Sequence, residues 1–352
     1  MKKYFVLFLF VNTIIVFTSC SSSTKEHICK PYDEHYTLSY AETGSLGNLF
    51  PLTIDNAITQ RITSLIHEGL VLIDPLTLNI KPGIADTWRI DTSEKEFRFF
   101  LNTNVYFHDD ECFEKSKGRK LNADDVIYSL TMLCTKSEKN KFAETFVEQI
   151  EGAYDFYNGK TKNITGLVKE NDSTVIIRLN KPNPMFLQFL ASPAAVIYPK
   201  EAYNKYSTNF TTGVGPYYIK QFPENDKPMI LCKNTRYFKI DKDGYCLPYI
   251  DTIKIYFNKT VREQLELLKS NIIDVVLNID NESLTNFLEK NIQLFEGEKA
   301  SFRVTNIGNF TSVQTQHIIK NNIENFKVNE FHLLDLRETK FLNKPNNTKP
   351  SI

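Results

Sequence analysis

The chain has 352 residues, and its 42 Lys and Arg are balanced by 42 Asp and Glu. At roughly 150 residues per domain this length accommodates about two domains with a sizeable core, and the zero net charge excludes an electrostatic grip on nucleic acid or an anionic membrane as the main activity. Hydrophobic residues at 41%, with 13 Gly and 14 Pro, exclude collagen-like, disordered and multi-span membrane classes, while 26 Phe and 17 Tyr predict aromatic-rich cores or grooves.

Residues 1–19 read as a secretory signal peptide: Lys2-Lys3, an apolar run from Tyr4 to Phe17, and Thr18-Ser19 before Cys20. The run is too short to span a bilayer. A cysteine directly after it, followed by Ser21-Ser22-Ser23-Thr24-Lys25, resembles a bacterial lipobox. That resemblance implies a lipid on Cys20 and a tether over residues 20–29, with plain secretion or an uncleaved anchor as alternatives. Each of the three places the protein outside the cytoplasmic membrane, facing the periplasm or the cell surface. Beyond Cys20 stand Cys29, Cys112, Cys134, Cys232 and Cys246, an odd set without a CxxC. Cys232 and Cys246 flank a turn-rich stretch whose closure would add about 3 kcal/mol, but independent free thiols are the simpler expectation.

Thr37 to Tyr40 predicts a short strand, broken by Gly44-Ser45-Leu46-Gly47-Asn48. After Pro51, Ile54, Ile58, Ile62, Leu65 and Ile66 recur at helical spacing to about His67, and Gly69 ends the helix. Strands are expected at Leu70 to Ile73, Thr87 to Ile90, Phe97 to Leu101 and Val105 to Phe107. Asn122 with Asp125 three positions on predicts a capped helix whose Val126, Ile127, Leu130 and Leu133 line one face. A two-strand unit follows at Ile164 to Lys169 and Thr174 to Leu179, and Pro182 and Pro184 open a helix carrying Phe186, Leu187 and Leu190. Gly213 and Gly215 predict a tight turn before strands at Tyr217 to Lys220 and Met229 to Lys233. Ile253, Ile255 and Phe257 alternate as a strand, Val261, Leu265 and Leu268 form a helix stripe, and Asp274 to Leu277 returns as a strand. From about Thr311 the chain lacks Gly and is rich in Asn and Lys, so it reads as disordered.

Enzymatic signals are few. No GxSxG, HExxH, phosphate loop or strand-borne GxGxxG occurs. His108-Asp109-Asp110-Glu111-Cys112 is the densest set of ligand-type residues, but neighbours at a strand end point alternately to opposite faces, so it reads as a solvated turn rather than a metal site. His67-Glu68 lacks a second histidine four residues away and reads as a helix end. No catalytic residue, metal or cofactor is expected.

A series of segments, in order, resembles extracellular solute-binding proteins of family 5, the dipeptide and oligopeptide receptors of ABC importers. These are Glu68-Gly69-Leu70-Val71, Lys81-Pro82-Gly83-Ile84-Ala85-Asp86-Thr87-Trp88, Phe97-Arg98-Phe99, Val105-Tyr106-Phe107-His108-Asp109 and Asn122-Ala123-Asp124-Asp125-Val126. Later blocks are Gly213-Val214-Gly215-Pro216-Tyr217, Asn234-Thr235-Arg236-Tyr237-Phe238, Pro248-Tyr249-Ile250-Asp251 and Lys269-Ser270-Asn271-Ile272-Ile273-Asp274. Each is weak alone; together they run from about Ser39 to Asp280. Residues 110–120 look like an insertion without assigned function.

The resemblance implies a mixed α/β chain with the two-lobed periplasmic-binding-protein fold of type II, in its peptide-receptor variety. It implies a ligand cleft between hinged lobes, with an extended peptide held by main-chain hydrogen bonds. Leu46, Gly47, Asn48 and Leu49 best match the contact segment, and Phe50 stands where the family often has Asp before Pro51. The expected organisation is a first lobe over 30–258 with an inserted subdomain at 51–180, the start of a second lobe at 259–310 and a divergent tail at 311–352. Family members continue beyond this length, and their amine-holding acid lies in that later part. The match is expected to stop by about Asn309, which implies a truncated receptor that binds peptides weakly. Short peptides, ABC permease subunits and the membrane, through the lipid, are the expected partners of a monomer that takes no nucleic acid. A surface interaction lipoprotein that has lost transport, and an exported hydrolase, are the alternatives.

Overall fold

The computed structural model describes residues 29–31, 35–74, 77–277, 279–291, 302–307 and 310–315. The expected signal peptide at residues 1–19 and Cys20 lie outside them, as do the residues from 316 on.

Leu38-Ser39-Tyr40-Ala41 is buried throughout, and β1 (Thr37–Ala41) accordingly takes a central place with a parallel partner on each side. Pro51 opens a one-turn 3-10 helix, and Asn56 caps α1 (Ala57–Ile66) by accepting from the Thr59 N–H (2.8 Å). This helix starts later than its apolar spacing suggests, because Asn56 satisfies the first orphan donor. Short ribbons follow: β2 (Glu68–Gly69), β3 (Val71–Ile73) and β4 (Ile80–Pro82). β5 (Ala85–Ile90) and β6 (Glu96–Leu101) lead to α2 (Ala123–Leu133), where Asn122 and Asp125 form the expected capping box. Next come α3 (Ala143–Val147), α4 (Ala153–Tyr157), β7 (Leu167–Asn171), β8 (Thr174–Arg178), α5 (Phe186–Leu190), β9 (Val196–Ile197) and α6 (Lys200–Tyr206). The chain continues through β10 (Tyr217–Gln221), β11 (Met229–Lys233), β12 (Thr252–Tyr256), α7 (Val261–Lys269), β13 (Val275–Val276) and α8 (Asn281–Asn291) to β14 (Phe302–Ile307) and β15 (Phe310–Thr315).

Two sheets organise these elements. A seven-stranded sheet has the order β10-β11-β12-β1-β13-β15-β14, with β1 parallel to β12 from Thr37↔Thr252 to Ala41↔Tyr256 and parallel to β13 at Tyr40↔Val275. Its core joins Leu38 and Tyr40 to Leu231, Ile253 and Ile255 under the α1 face of Ile62, Leu65 and Ile66. The second sheet is antiparallel, β5-β6-β8-β7, and packs Phe97, Phe99, Val175 and Ile177 against Val126, Leu130 and Leu133 of α2. A third cluster seats Leu265 and Leu268 of α7 with Val276, Ile279 and Phe287.

Several expectations change. Val105 to Phe107 is not a strand: it makes one isolated bridge, Tyr106↔Lys120, because the facing stretch accepts only the Phe107 N–H to Arg119 O bond and returns Leu121 N–H to Val105 O. His108 is no part of a solvated turn, being 5% exposed. Residues 110–120 have structural work: Arg119 reaches Asp125 on α2 and Glu201 on α6, both at 2.7 Å, and lies over the Phe107 and Phe113 rings. Gly213 and Gly215 are needed for close approach rather than for a turn, since a Cβ on either would lie under 2.7 Å from the Ile66 main chain. Residues 311–315, placed at the head of the tail, form most of β15 and pair with β13 and β14. β13, β14 and β15 join the sheet of β1.

The cysteines also resolve differently. Cys29 and Cys246 form a disulfide with Cα atoms 5.1 Å apart, rather than standing as free thiols. Cys232 sits on β11, between Tyr218 of β10 and Thr252 of β12, and Cys246 is held instead by the pairing of its N–H with Lys30 O (3.0 Å). Among the described residues, Cys112, Cys134 and Cys232 are the free thiols.

Candidate functional site

The carboxyl end of β1 runs into an extended segment that belongs to no helix or strand. Leu46 packs half-buried against the core of the seven-stranded sheet, and Leu49 is buried in it. These two side chains pin the segment from within. Gly47 donates its N–H to Thr59 Oγ1 on α1 (2.8 Å), and an added Cβ there would meet Thr59 Oγ1 at 2.7 Å and Asn56 Nδ2 at 2.9 Å. Asn48 is exposed, and its Oδ1 accepts from Phe50 N (2.7 Å) and Thr53 Oγ1 (3.1 Å), an Asx turn that leads into Pro51. Phe50 is buried among Tyr198, Tyr203 and Phe210 with ring centroids 5.5 to 5.9 Å away.

Two neighbouring ion pairs brace this end of the sheet. Glu42, the residue after β1, takes a bidentate guanidinium from Arg61 at 2.7 Å to each oxygen. Burial raises the Glu42 pKa, and Arg61 opposes that rise. Asp55, before the α1 cap, pairs with Lys141 at 3.3 Å, which holds its carboxyl below the usual carboxylate range. A hollow of about 260 Å³ adjoins the segment, lined by Ser45, Leu46, Pro223, Asn225, Tyr256 and Phe257 among others. A second, of about 310 Å³, lies between Lys81-Pro82-Gly83 and the stretch from Phe238 to Leu247. Its floor is supported by a fully buried Glu68, which accepts from Tyr237 Oη (2.8 Å) and lies 2.5 Å from Lys239 Nζ.

What the segment offers chemically is main chain. Among the described residues, the N–H groups of Leu46, Asn48 and Leu49 and the carbonyls of Leu46, Gly47, Asn48 and Leu49 take no hydrogen bond. Unpaired groups on a fixed extended stretch are a template for a further strand. The four sequence-identified residues lie on one extended segment with divided work, Leu46 and Leu49 inward, Gly47 against α1, and Asn48, the exposed one, as the turn former. The bracing by Thr59, Glu42 and Arg61 carries no motif, and only the buried contacts reveal it. Reactive groups are muted: burial pushes Cys112 and Cys134 up to about 12, and His67 and His108 are buried and neutral. Among the described residues, no three His, Cys, Asp or Glu side chains group as a metal site.

Comparison with known proteins adds the family. The profile of bacterial extracellular solute-binding proteins, family 5 Middle, matches residues 79–322, so the match passes Asn309, where it was expected to stop. The dipeptide-binding protein of Escherichia coli (strain K12) is 27% identical over 229 residues, covering 62% of this chain and 40% of that protein. The ABC transporter-associated periplasmic binding protein DppA from Helicobacter pylori, in complex with the peptide STSA, superposes with a TM-score of 0.60 at 20% identity over 76% of this chain and 50% of that one. MoaA of A. tumefacien R10, in complex with mannopinic acid, gives 0.61 at 20% identity over 78% and 50%. The chain therefore spans half the length of these relatives or less. The structural likeness gives the type II periplasmic-binding-protein fold, and the profile, which covers more than half of the chain, makes it a member of the bacterial extracellular solute-binding proteins of family 5.

Proposed function

We propose that this protein is the extracytoplasmic receptor component of an ABC importer for short peptides, held to the membrane by a lipid on Cys20 and facing the periplasm or the cell surface. In this reading the four-stranded sheet, α1, α2 and the β1 to β12 part of the large sheet form the first lobe, and the Leu46–Leu49 ledge is its peptide-facing edge. The observation that supports it is the row of unpaired main-chain groups on that ledge, which fits an extended ligand paired as an added strand. The names of the relatives support the same solute class, and a disulfide supports an oxidising compartment. A binding protein, not an enzyme, fits both the family and the protonated thiols.

The test is photocrosslinking from the ledge. A benzoylphenylalanine at Ser45, which is exposed beside Leu46, should label a biotinylated tripeptide mixture, and excess unlabelled peptide should suppress the label at least about fivefold. The same group at Tyr154, 57% exposed on α4, should give little label. Equal labelling at both positions, or labelling that peptide does not compete, would sink the reading; competition by mannopinic acid alone would replace peptide by another solute.

A further inference from the structure

Within the described residues the chain is first fixed covalently at Cys29, to a loop 217 residues later. The join is more than one bond. Lys30 N–H donates to Gly244 O (2.8 Å), Cys246 N–H donates to Lys30 O (3.0 Å), and the Lys30 ammonium stands 5.7 Å from the Tyr245 ring centroid. The receiving loop is itself stiff. Asp241 Oδ1 accepts from the N–H groups of Asp243 (2.9 Å) and Tyr245 (2.7 Å), Gly244 takes the left-handed conformation at φ +86°, and Ile240 bridges Cys246. A pull on Cys29 is therefore a pull on this loop.

We propose that the Cys29–Cys246 disulfide is a tether stop, holding the residue 239–247 loop of the anchored protein toward the lipid bilayer. The inference rests on the proposed lipid at Cys20. An extended chain spans at most about 3.5 Å per residue, so the nine steps from Cys20 to Cys29 reach no more than about 30 Å. If the disulfide is removed and the Lys30 contacts release with it, the chain is next held at the start of β1, and the seventeen steps to Thr37 reach about 60 Å. A compact domain of about 260 residues has a radius of gyration of about 18 Å, so a reach of at most about 30 Å is shorter than its diameter and keeps the attachment loop on the membrane side. The loop's charges, Lys239 and Lys242 against Asp241 and Asp243, cancel, so an anionic headgroup layer does not repel it.

The experiment uses the full chain, isolated from membranes and reconstituted in phosphatidylethanolamine–phosphatidylglycerol vesicles. A fluorescent non-natural residue at exposed Lys242 donates energy to an acceptor dye on the lipid headgroups. Two variants separate tether length from loop integrity: Cys29→Ser with Cys246→Ser removes the stop, and thirty Gly/Ser residues inserted after Ser23 lengthen the tether with the disulfide intact. Transfer should be high in the parent, fall by roughly a third in the double variant and fall more than twofold in the insertion variant. Circular dichroism must show the double variant folded at the measuring temperature. Transfer that is unchanged in either variant overturns the tether stop. Absence of vesicle-bound protein in the parent overturns the anchor at Cys20, and the stop with it, and so is told apart from a failure of the stop alone.

Discussion

His67 and His108 are 1% and 5% exposed and sit where the end of α1, the 213–215 loop and the segment after Phe107 converge. His108 is fully used: Nε2–H donates to Gly215 O (2.9 Å), Nδ1 accepts from Gly213 N (3.4 Å), and Arg236 and Asp109 are its charged neighbours. His67 has no hydrogen bond on either ring nitrogen and meets the Phe210 ring edge-on. Burial, with a smaller contribution from His108, lowers the His67 pKa to about 3, and burial lowers that of His108 to about 4 in spite of the Gly215 carbonyl. Both values lie below the roughly 6.5 of an unfolded-chain histidine, so the unfolded state binds more protons as the pH falls. Stability is complete above about pH 6.5 and declines from there toward pH 3 to 4, by about 2 kcal/mol per histidine at pH 5. Urea unfolding at pH 7, 6 and 5 should show this slope. His67→Leu, which removes no hydrogen bond, should leave stability at pH 7 little changed and remove about half of the loss by pH 5. An identical slope in the variant would mean that these side chains do not set the acid limit.

Elements show why some of the fold could be read directly and some could not. The α2 start was legible because its information is local: Asn122 and Asp125 are three residues apart and close the same turn. β6 and β12 alternate in sequence and bury the faces that the alternation implies, whereas β8 reads as a short apolar run and is buried at four consecutive residues. The β2–β9 ribbon was not, since two residues at Glu68 and two at Val196 acquire meaning only by pairing across the chain. β14 and β15 escaped because Arg303, Thr305, Asn306, Thr311 and Gln314 mask the pattern, and their order comes from six register pairs with each other and two from β15 to β13. At the candidate site, Leu46 to Leu49 could be placed by resemblance, whereas the empty hydrogen-bonding positions along them depend on what the rest of the sheet leaves unpaired. The extent of β15 yields a differential prediction. Deleting residues 311–352 cuts away this strand and exposes the β13 edge, whereas deleting 316–352 leaves it whole. With several ladder hydrogen bonds at about 1 kcal/mol each, the longer deletion should melt at least about 4 °C below the shorter one. Equal midpoints by calorimetry would show that β15 does not support the sheet.

For the molecule as a whole, the disulfide closes a loop with a sequence separation of 217, from Cys29 to Cys246. A loop of this size restricts the unfolded ensemble strongly, and Cys29→Ser should lower the unfolding free energy by about 2 to 5 kcal/mol. Denaturant titration of oxidised parent and variant measures it, and a difference under about 1 kcal/mol would mean that Lys30 and its loop contacts hold the end without the bond. The seven-stranded sheet carries a further consequence, in time rather than in energy. β1 is the first strand made and stands at the centre, yet its two neighbours are β12, with Thr252 opposite Thr37, and β13, with Val275 opposite Tyr40. No hairpin can seat it early, because both partners are encoded more than two hundred residues later. Pairings of such long range close slowly, so a growing chain exposes β1 as an unmatched central strand until β12 and β13 have been synthesised. For a member of an extracytoplasmic family this delay is useful: the large sheet cannot lock prematurely, and the polypeptide stays threadable while it still has a membrane to cross.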